Sequence, residues 1–164
     1  FQMNTDENAF AKRIKSFIEI GAFPNYLLPH SIELTPVDLA AEAIVKVANY
    51  TSYCNVLHIY NNNLLPIKLF IETLSELGIN LLPVPEKMMT DIITGILADN
   101  NRKDILSGII YDLNENKQLV YTSRIRLNSN FTEGFLEKIG FNWKNIDKEY
   151  IIKYICYLKK INFI

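Results

Sequence analysis

The sequence of 164 residues has the length of one ordinary domain, and 49% of its residues are hydrophobic, which is enough to build a core. The 17 basic and 18 acidic residues leave a formal net charge of -1, so the composition gives no electrostatic reason to expect nucleic acid or an anionic membrane as a partner. No apolar run approaches the roughly 20 residues that span a bilayer, and the acidic start does not fit a signal peptide, so we expect a cytoplasmic protein.

The first predicted element is an amphipathic helix over residues 5–20. Phe10 and Ile14 recur at helical spacing, Thr5 can cap the helix, and Gly21 stands just past its end. The next stretch, AFPNYLLPH, contains two prolines and has no apolar period, so we expect a loop there.

The stretch LTPVDLAAEAIVKVA, residues 34–48, predicts a tight entry into an alanine-rich helix. Thr35 can cap this helix, Pro36 suits its first position, and Asp38 can reach back to the cap amide. A slim helix of this kind suits close packing on a sheet. Residues 55–60, NVLHIY, are predicted to form a short buried strand, which three asparagines then end.

Two further elements continue this alternation of helices and strands. A helix over residues 66–77 has one apolar face and ends at Gly78, and residues 79–85 are expected to be extended. The order of the first half, with helix and strand in turn, is typical of an α/β fold.

The second half is predicted to be mainly helical. Residues 86–100 and 102–116 read as two consecutive helices of a helical hairpin, the first with Met88, Ile92 and Ile96 on its apolar face. A weak extended segment at 121–129, a short helix over 131–143 and a last helix over 146–161 follow. The prediction is therefore one compact α/β unit, mostly helical, with a few short strands in the first half and a helical hairpin and C-terminal helices in the second.

The sequence lacks the familiar patterns of catalytic and metal-binding sites. None of the six glycines belongs to a phosphate-cradling motif, and no tyrosine has a lysine four residues later. Cys54 and Cys156 have no thiol or imidazole beside them, so we expect reduced, mostly buried thiols. His58 is predicted to be a satisfied core residue within the strand. We therefore predict no catalytic residue and no metal ligands in this chain.

Lysines near the end of the chain are interleaved with aromatic residues. Lys148, Lys153 and Lys159 stand among Tyr150 and Tyr154 in the last predicted helix. One interpretation is a solvated helix face, and the other is a docking surface for an acidic partner.

Several stretches in combination are similar to one enzyme family. They are IGAFP, LTPVDLAAEAIVKVA, NVLHIYN, ILSGIIYDL and the closing LEKIGFNW and EYIIKYI. The chain resembles the C-terminal, substrate-side part of the terminal thioester reductase domains of nonribosomal peptide synthetases and carboxylic acid reductases, within the extended short-chain dehydrogenase/reductase group. Nucleotide-sugar epimerases of that group carry a similar strand, helix and strand, and the closing GFNW region favours the thioester reductases.

The resemblance implies an activity that needs a larger protein. The family reduces, with NADPH, an acyl or peptidyl thioester held on the phosphopantetheine arm of a carrier protein, and releases an aldehyde or an alcohol. Its glycine-rich cofactor loop and its catalytic Thr, Tyr and Lys precede the position of Phe1. We therefore expect a fragment that binds no cofactor and is inactive without an upstream nucleotide-binding half.

The resemblance also assigns parts of the chain to that enzyme. Phe1, Gln2 and Asn4 are expected near the substrate. Residues 1–84 would form a strand-and-helix portion at the seam with the nucleotide-binding half, and residues 85–164 a helical portion.

Scaffold and docking roles follow in the same way. Thr35, Pro36 and Asp38 would be scaffold at the seam, with Asp38 as a cap. The three lysines of the last helix become candidates for docking an acidic carrier protein. The seam side of the alanine-rich helix would be exposed in the fragment, so we expect an apolar patch there, which could pair two copies into a homodimer.

Two other function classes remain open. The chain could be a free-standing helical protein-interaction module, which would bind a partner without any nucleotide domain. It could also be the substrate half of an epimerase-like enzyme, although its few arginines form no cluster suited to a pyrophosphate.

Overall fold

Helices dominate this computed structural model, which describes residues 4–50, 56–120 and 128–164. Six α-helices and four short β-strands lie in these ranges. The helices are α1 (Ala9–Ile20), α2 (Val37–Ala48), α3 (Ile67–Glu76), α4 (Glu86–Ala98), α5 (Asn130–Lys138) and α6 (Lys148–Lys160). The strands are β1 (Ala22–Pro24), β2 (Ser31–Ile32), β3 (Leu65–Pro66) and β4 (Leu82–Val84). The predicted mostly helical α/β fold with a few short strands is confirmed.

The described residues pack as two compact units. The larger unit draws on residues 4–30, 66–120 and 148–164, and the smaller unit on residues 31–50, 56–65 and 128–147. Each unit therefore combines stretches that are distant in the sequence. The predicted division at residue 84 concerns a seam with a nucleotide-binding half, and it stays a prediction.

A short parallel sheet lies in the larger unit. Strand β1 pairs with β4, with Ala22 opposite Leu82 and Pro24 opposite Val84. Helices α1 and α4 contact β1, and α3 packs on α6. The sheet stays small partly because Pro24 and Pro83 have no N–H to donate to a further strand.

Helix α1 ends where the sequence predicts but begins later. The predicted cap at Thr5 is wrong, because Thr5 is buried in a preceding 3-10 turn and the side chain of Asn8 accepts from the N–H of Ala11 at 2.8 Å. Asparagine is as good a cap as threonine, so the local sequence allowed either start. Gly21 adopts a φ of 71° and ends the helix as predicted.

The stretch 102–116 does not form the second α-helix of the predicted hairpin. It contains two short 3-10 turns, Lys103–Leu106 and Ile110–Asp112. Between them Gly108 lies against α1, where its N–H donates to Oγ of Ser16 at 3.0 Å. Because this amide bonds to α1 instead of to a carbonyl one turn back, an α-helix does not continue through it.

Helix α4 is present, but its buried face differs from the predicted one. It buries Met89, Ile93 and Ile96, whereas Met88 is 47% exposed. Of the predicted set, Ile96 is buried, but the buried face continues through Met89 and Ile93 and not through Met88 and Ile92. Both sets fit one apolar face of a helix, so the periodicity alone does not distinguish them.

The smaller unit has a small core. Its buried centre is formed by Ala43 of α2, Leu136 of α5 and Phe141. Partly buried apolar side chains surround this centre: Leu39, Val47, Ile59, Ile139 and Trp143. Ala43 of α2 is fully buried in this core, whereas the predicted packing of the slim helix on a sheet is not seen among the described residues.

The predicted strand at residues 55–60 is wrong for the part that the structure describes, residues 56–60. Two backbone amides in and directly after this stretch donate to side chains: the N–H of His58 to Oγ1 of Thr132 at 3.1 Å, and the N–H of Asn61 to Oγ1 of Thr35 at 2.9 Å. His58 itself is exposed and is not the predicted core residue.

Candidate functional site

The predicted substrate residues lie at the start of the chain. Phe1 and Gln2 fall outside the described residues. Asn4 is exposed, and its carbonyl accepts from the N–H of Glu7 at 3.4 Å in a 3-10 turn. The assignment of these three residues to the substrate stays a prediction.

The turn into α2 is built differently from the predicted capping arrangement. Helix α2 follows Pro36 directly, and no side chain caps its first amides. Thr35 accepts from the N–H of Asn61 instead, and Asp38 is exposed in the first helical turn. The predicted capping role of Asp38 is therefore wrong; its carboxylate still suits the positive end of the helix dipole.

The three lysines proposed for docking lie on α6 in different surroundings. Lys148 pairs with Oε2 of Glu76 at 2.5 Å, and Nζ of Lys159 donates to the carbonyl of Leu77 at 3.0 Å. These two lysines connect α6 to the end of α3. Lys153 pairs with Oε1 of Glu149 on its own helix at 2.7 Å, and its side chain is 64% exposed. An exposed pair of this kind contributes little to stability, so Lys153 can exchange partners.

The aromatic residues of α6 are partly core. The ring of Phe10 stacks on Tyr154 with a centroid distance of 6.0 Å and also contacts Phe70 at 5.9 Å. Burial raises the pKa of Tyr154 to about 12, with smaller contributions from Tyr150 and Tyr157. Tyr154 therefore belongs to the packing of α6 against α1 and α3.

This burial predicts a loss of stability in alkali. In the unfolded chain a tyrosine has a pKa of about 10, so its raised pKa in the folded protein stabilises the fold fully below about pH 10, and the contribution is lost as pH rises towards 12. The urea midpoint of the wild type should fall between about pH 10 and 12, and we expect a smaller fall in Tyr154→Phe. Tyr111→Phe is the control, because Tyr111 is 97% exposed, and it should leave the fall unchanged. An equal slope for wild type and Tyr154→Phe would contradict this account.

Three consecutive asparagines do more than end a predicted strand. Asn61 is fully buried; its Nδ2 donates to the carbonyl of Lys144 at 3.1 Å, and its Oδ1 accepts from the N–H of Asn63 at 3.0 Å. Nδ2 of Asn63 donates to the carbonyl of Trp143 at 3.0 Å. Within the smaller unit these side chains hold the segment around Trp143 to residues 61–63, and we call this arrangement the asparagine clamp.

Helix α2 presents an apolar stripe to solvent. Val37 is 72% exposed, Ile44 55% and Val45 59%, and Ala41 and Ala48 are exposed at the same helical spacing. A long row of apolar side chains on one helix face is typical of a surface that packs against another element. The exposed apolar patch that the sequence predicts on this helix is therefore present.

No group of metal-binding side chains forms among the residues that the structure describes, and no helix there is long and apolar enough to cross a bilayer. Cys156 is exposed, so the prediction of a buried thiol is wrong for this residue. Its place on α6 next to the buried Ile155 shows why: the apolar stripe of the helix does not include position 156. Cys54 lies outside the described residues.

Sequence comparison alone finds no relative, because no family model and no curated protein matches this chain. Comparison with solved structures does find similar proteins. Over 99% of its length the chain matches a thiolation-reductase di-domain from an archaeal non-ribosomal peptide synthetase, with a TM-score of 0.78 and 24% identity. The chain has the fold of one part of this reductase structure. Two further matches agree, each over 98% of the chain: the terminal R domain of the myxalamid PKS-NRPS pathway, with a TM-score of 0.77 and 19% identity, and the reductase domain of the aureusimine cluster, with 0.71 and 16%.

The chain corresponds to only a part of these reductase structures. It covers 33% of the archaeal chain and 40% of each of the other two. The identities are low, so the similarity concerns the reductase fold of this part and leaves activity and substrate to be proposed.

The glycines of this reductase-like chain do not fit a dinucleotide. Gly21, Gly78 and Gly140 adopt positive φ angles, but each follows the C-terminal end of a helix. Backbone carbonyls and the negative end of the helix dipole meet there, whereas a pyrophosphate needs the amides of a helix N-terminus. The described residues therefore provide no glycine-rich cradle for NADPH.

Proposed function

We propose that this chain is the substrate-side part of an NADPH-dependent thioester reductase, which releases an acyl or peptidyl group from a carrier protein as an aldehyde or an alcohol. The observation that carries the proposal is the match of nearly the whole chain to three terminal reductase domains at TM-scores of 0.71–0.78. The stretches that resemble thioester reductases in the sequence support the same proposal independently of the fold.

The apolar stripe on α2 supports a role within a larger enzyme. Val37, Ile44 and Val45 are exposed in the chain as described, and packing them against another surface would remove apolar area from water. We propose that a nucleotide-binding half covers this stripe and that Thr35 and Pro36 lie at the seam. NADPH held by that half would supply the hydride, and no step of its chemistry is assigned to a residue of this chain.

The proposed carrier protein would contact the described surface of α6. Carrier proteins of this family are typically acidic, and Lys153 is the docking lysine whose ion pair, with Glu149, lies within α6 itself. Lys148 and Lys159 are less suitable probes, because changing them also removes contacts to the end of α3.

Activity assays on two proteins test the proposal. One is the 164-residue chain, and the other is the same chain together with the sequence encoded upstream of it. We expect only the longer protein to oxidise NADPH with an acyl pantetheine thioester, because the described part of the short chain lacks a cradle for the cofactor. Absence of both NADPH binding and turnover in the longer protein would refute the reductase proposal and favour the interaction module.

Carrier docking is tested separately in the longer protein. Lys153→Glu should raise KM for the carrier-bound thioester about tenfold and leave turnover of the free pantetheine thioester unchanged, because only the former needs the docking surface. Lys87→Glu, an exposed reversal on α4, is the matched control. Equal KM values for the two variants would show that the carrier does not dock at Lys153.

A further inference from the structure

We draw no further inference here: the strongest candidate, the apolar stripe on α2, belongs to the seam already proposed, and nothing in the described parts of the structure shows what else would cover it.

Discussion

Gly108→Ala is expected to lower the free energy of unfolding by about 3 kcal/mol, at the upper end of the usual cost of overpacking. A Cβ on Gly108 would lie 2.1 Å from the carbonyl oxygen of Lys12 and 2.6 Å from the N–H nitrogen of Arg13, and both atoms belong to the backbone of α1. These backbone atoms cannot avoid the Cβ by a change of rotamer, as a side chain could. The segment that contains residue 108 must therefore move away from α1. This movement would also break the hydrogen bond from Gly108 to Ser16.

Gly95→Ala is the matched control for this substitution. A Cβ at Gly95 meets nothing within 4 Å, and the residue lies inside α4, where alanine should stabilise by about 0.5–1 kcal/mol. Both variants replace glycine by alanine and so change the unfolded chain alike. The difference between their thermal midpoints therefore reports the contact of residue 108 with α1. If the two variants are equally stable, this close approach does not exist in solution.

Removing the side chain of Asn61 should have the second largest effect. Asn61→Ala removes a fully buried side chain together with its hydrogen bonds to the carbonyl of Lys144 and from the N–H of Asn63, and each such loss costs about 1–3 kcal/mol. We expect the smaller unit to lose about 2–4 kcal/mol of stability. Urea unfolding followed by Trp143 fluorescence measures this, since the carbonyl of Trp143 is held by the same clamp.

Asn62→Ala tests whether the clamp depends on the buried residue. Asn62 is the exposed neighbour in the same triplet, so Asn62→Ala should change the free energy of unfolding by less than about 0.5 kcal/mol. Asn61→Asp adds a second comparison, because it keeps the acceptor for Asn63 and loses the donor to Lys144. An Asn61→Ala protein as stable as Asn62→Ala would mean that the clamp contributes no stability.

The helices that the sequence predicts well are those with local signals at both ends and a clear apolar stripe. α3 and α6 are found where periodicity places them, and α1 and α3 end at glycines with positive φ because no other residue adopts that conformation as readily. The predictions fail where a contact with a distant part of the chain determines the local structure. Residues 102–116 have a helical pattern, but the contact of Gly108 with α1 overrides it.

The asparagine clamp escapes prediction from the sequence for a related reason. Its residues come from two stretches about 80 positions apart, 61–63 and 143–144, and nothing in either stretch indicates that they meet. The asparagine triplet and the GFNW sequence were both visible signals. The sequence predicts the end of a strand from the triplet and a family resemblance from GFNW, and only the hydrogen bonds between the two stretches show their shared role.

The way in which the two units interleave along the chain has a consequence for synthesis on the ribosome. The smaller unit needs residues 128–147 to pack with residues 31–50 and 56–65, and the larger unit needs α6, the last helix, to pack on α3. Neither unit can therefore finish folding while the first hundred residues emerge. During that interval the face of α3 that packs on α6 and the face of α2 around Ala43 that packs on Leu136 lack these partners, and the nascent chain depends on rapid completion of the fold or on chaperones to avoid aggregation.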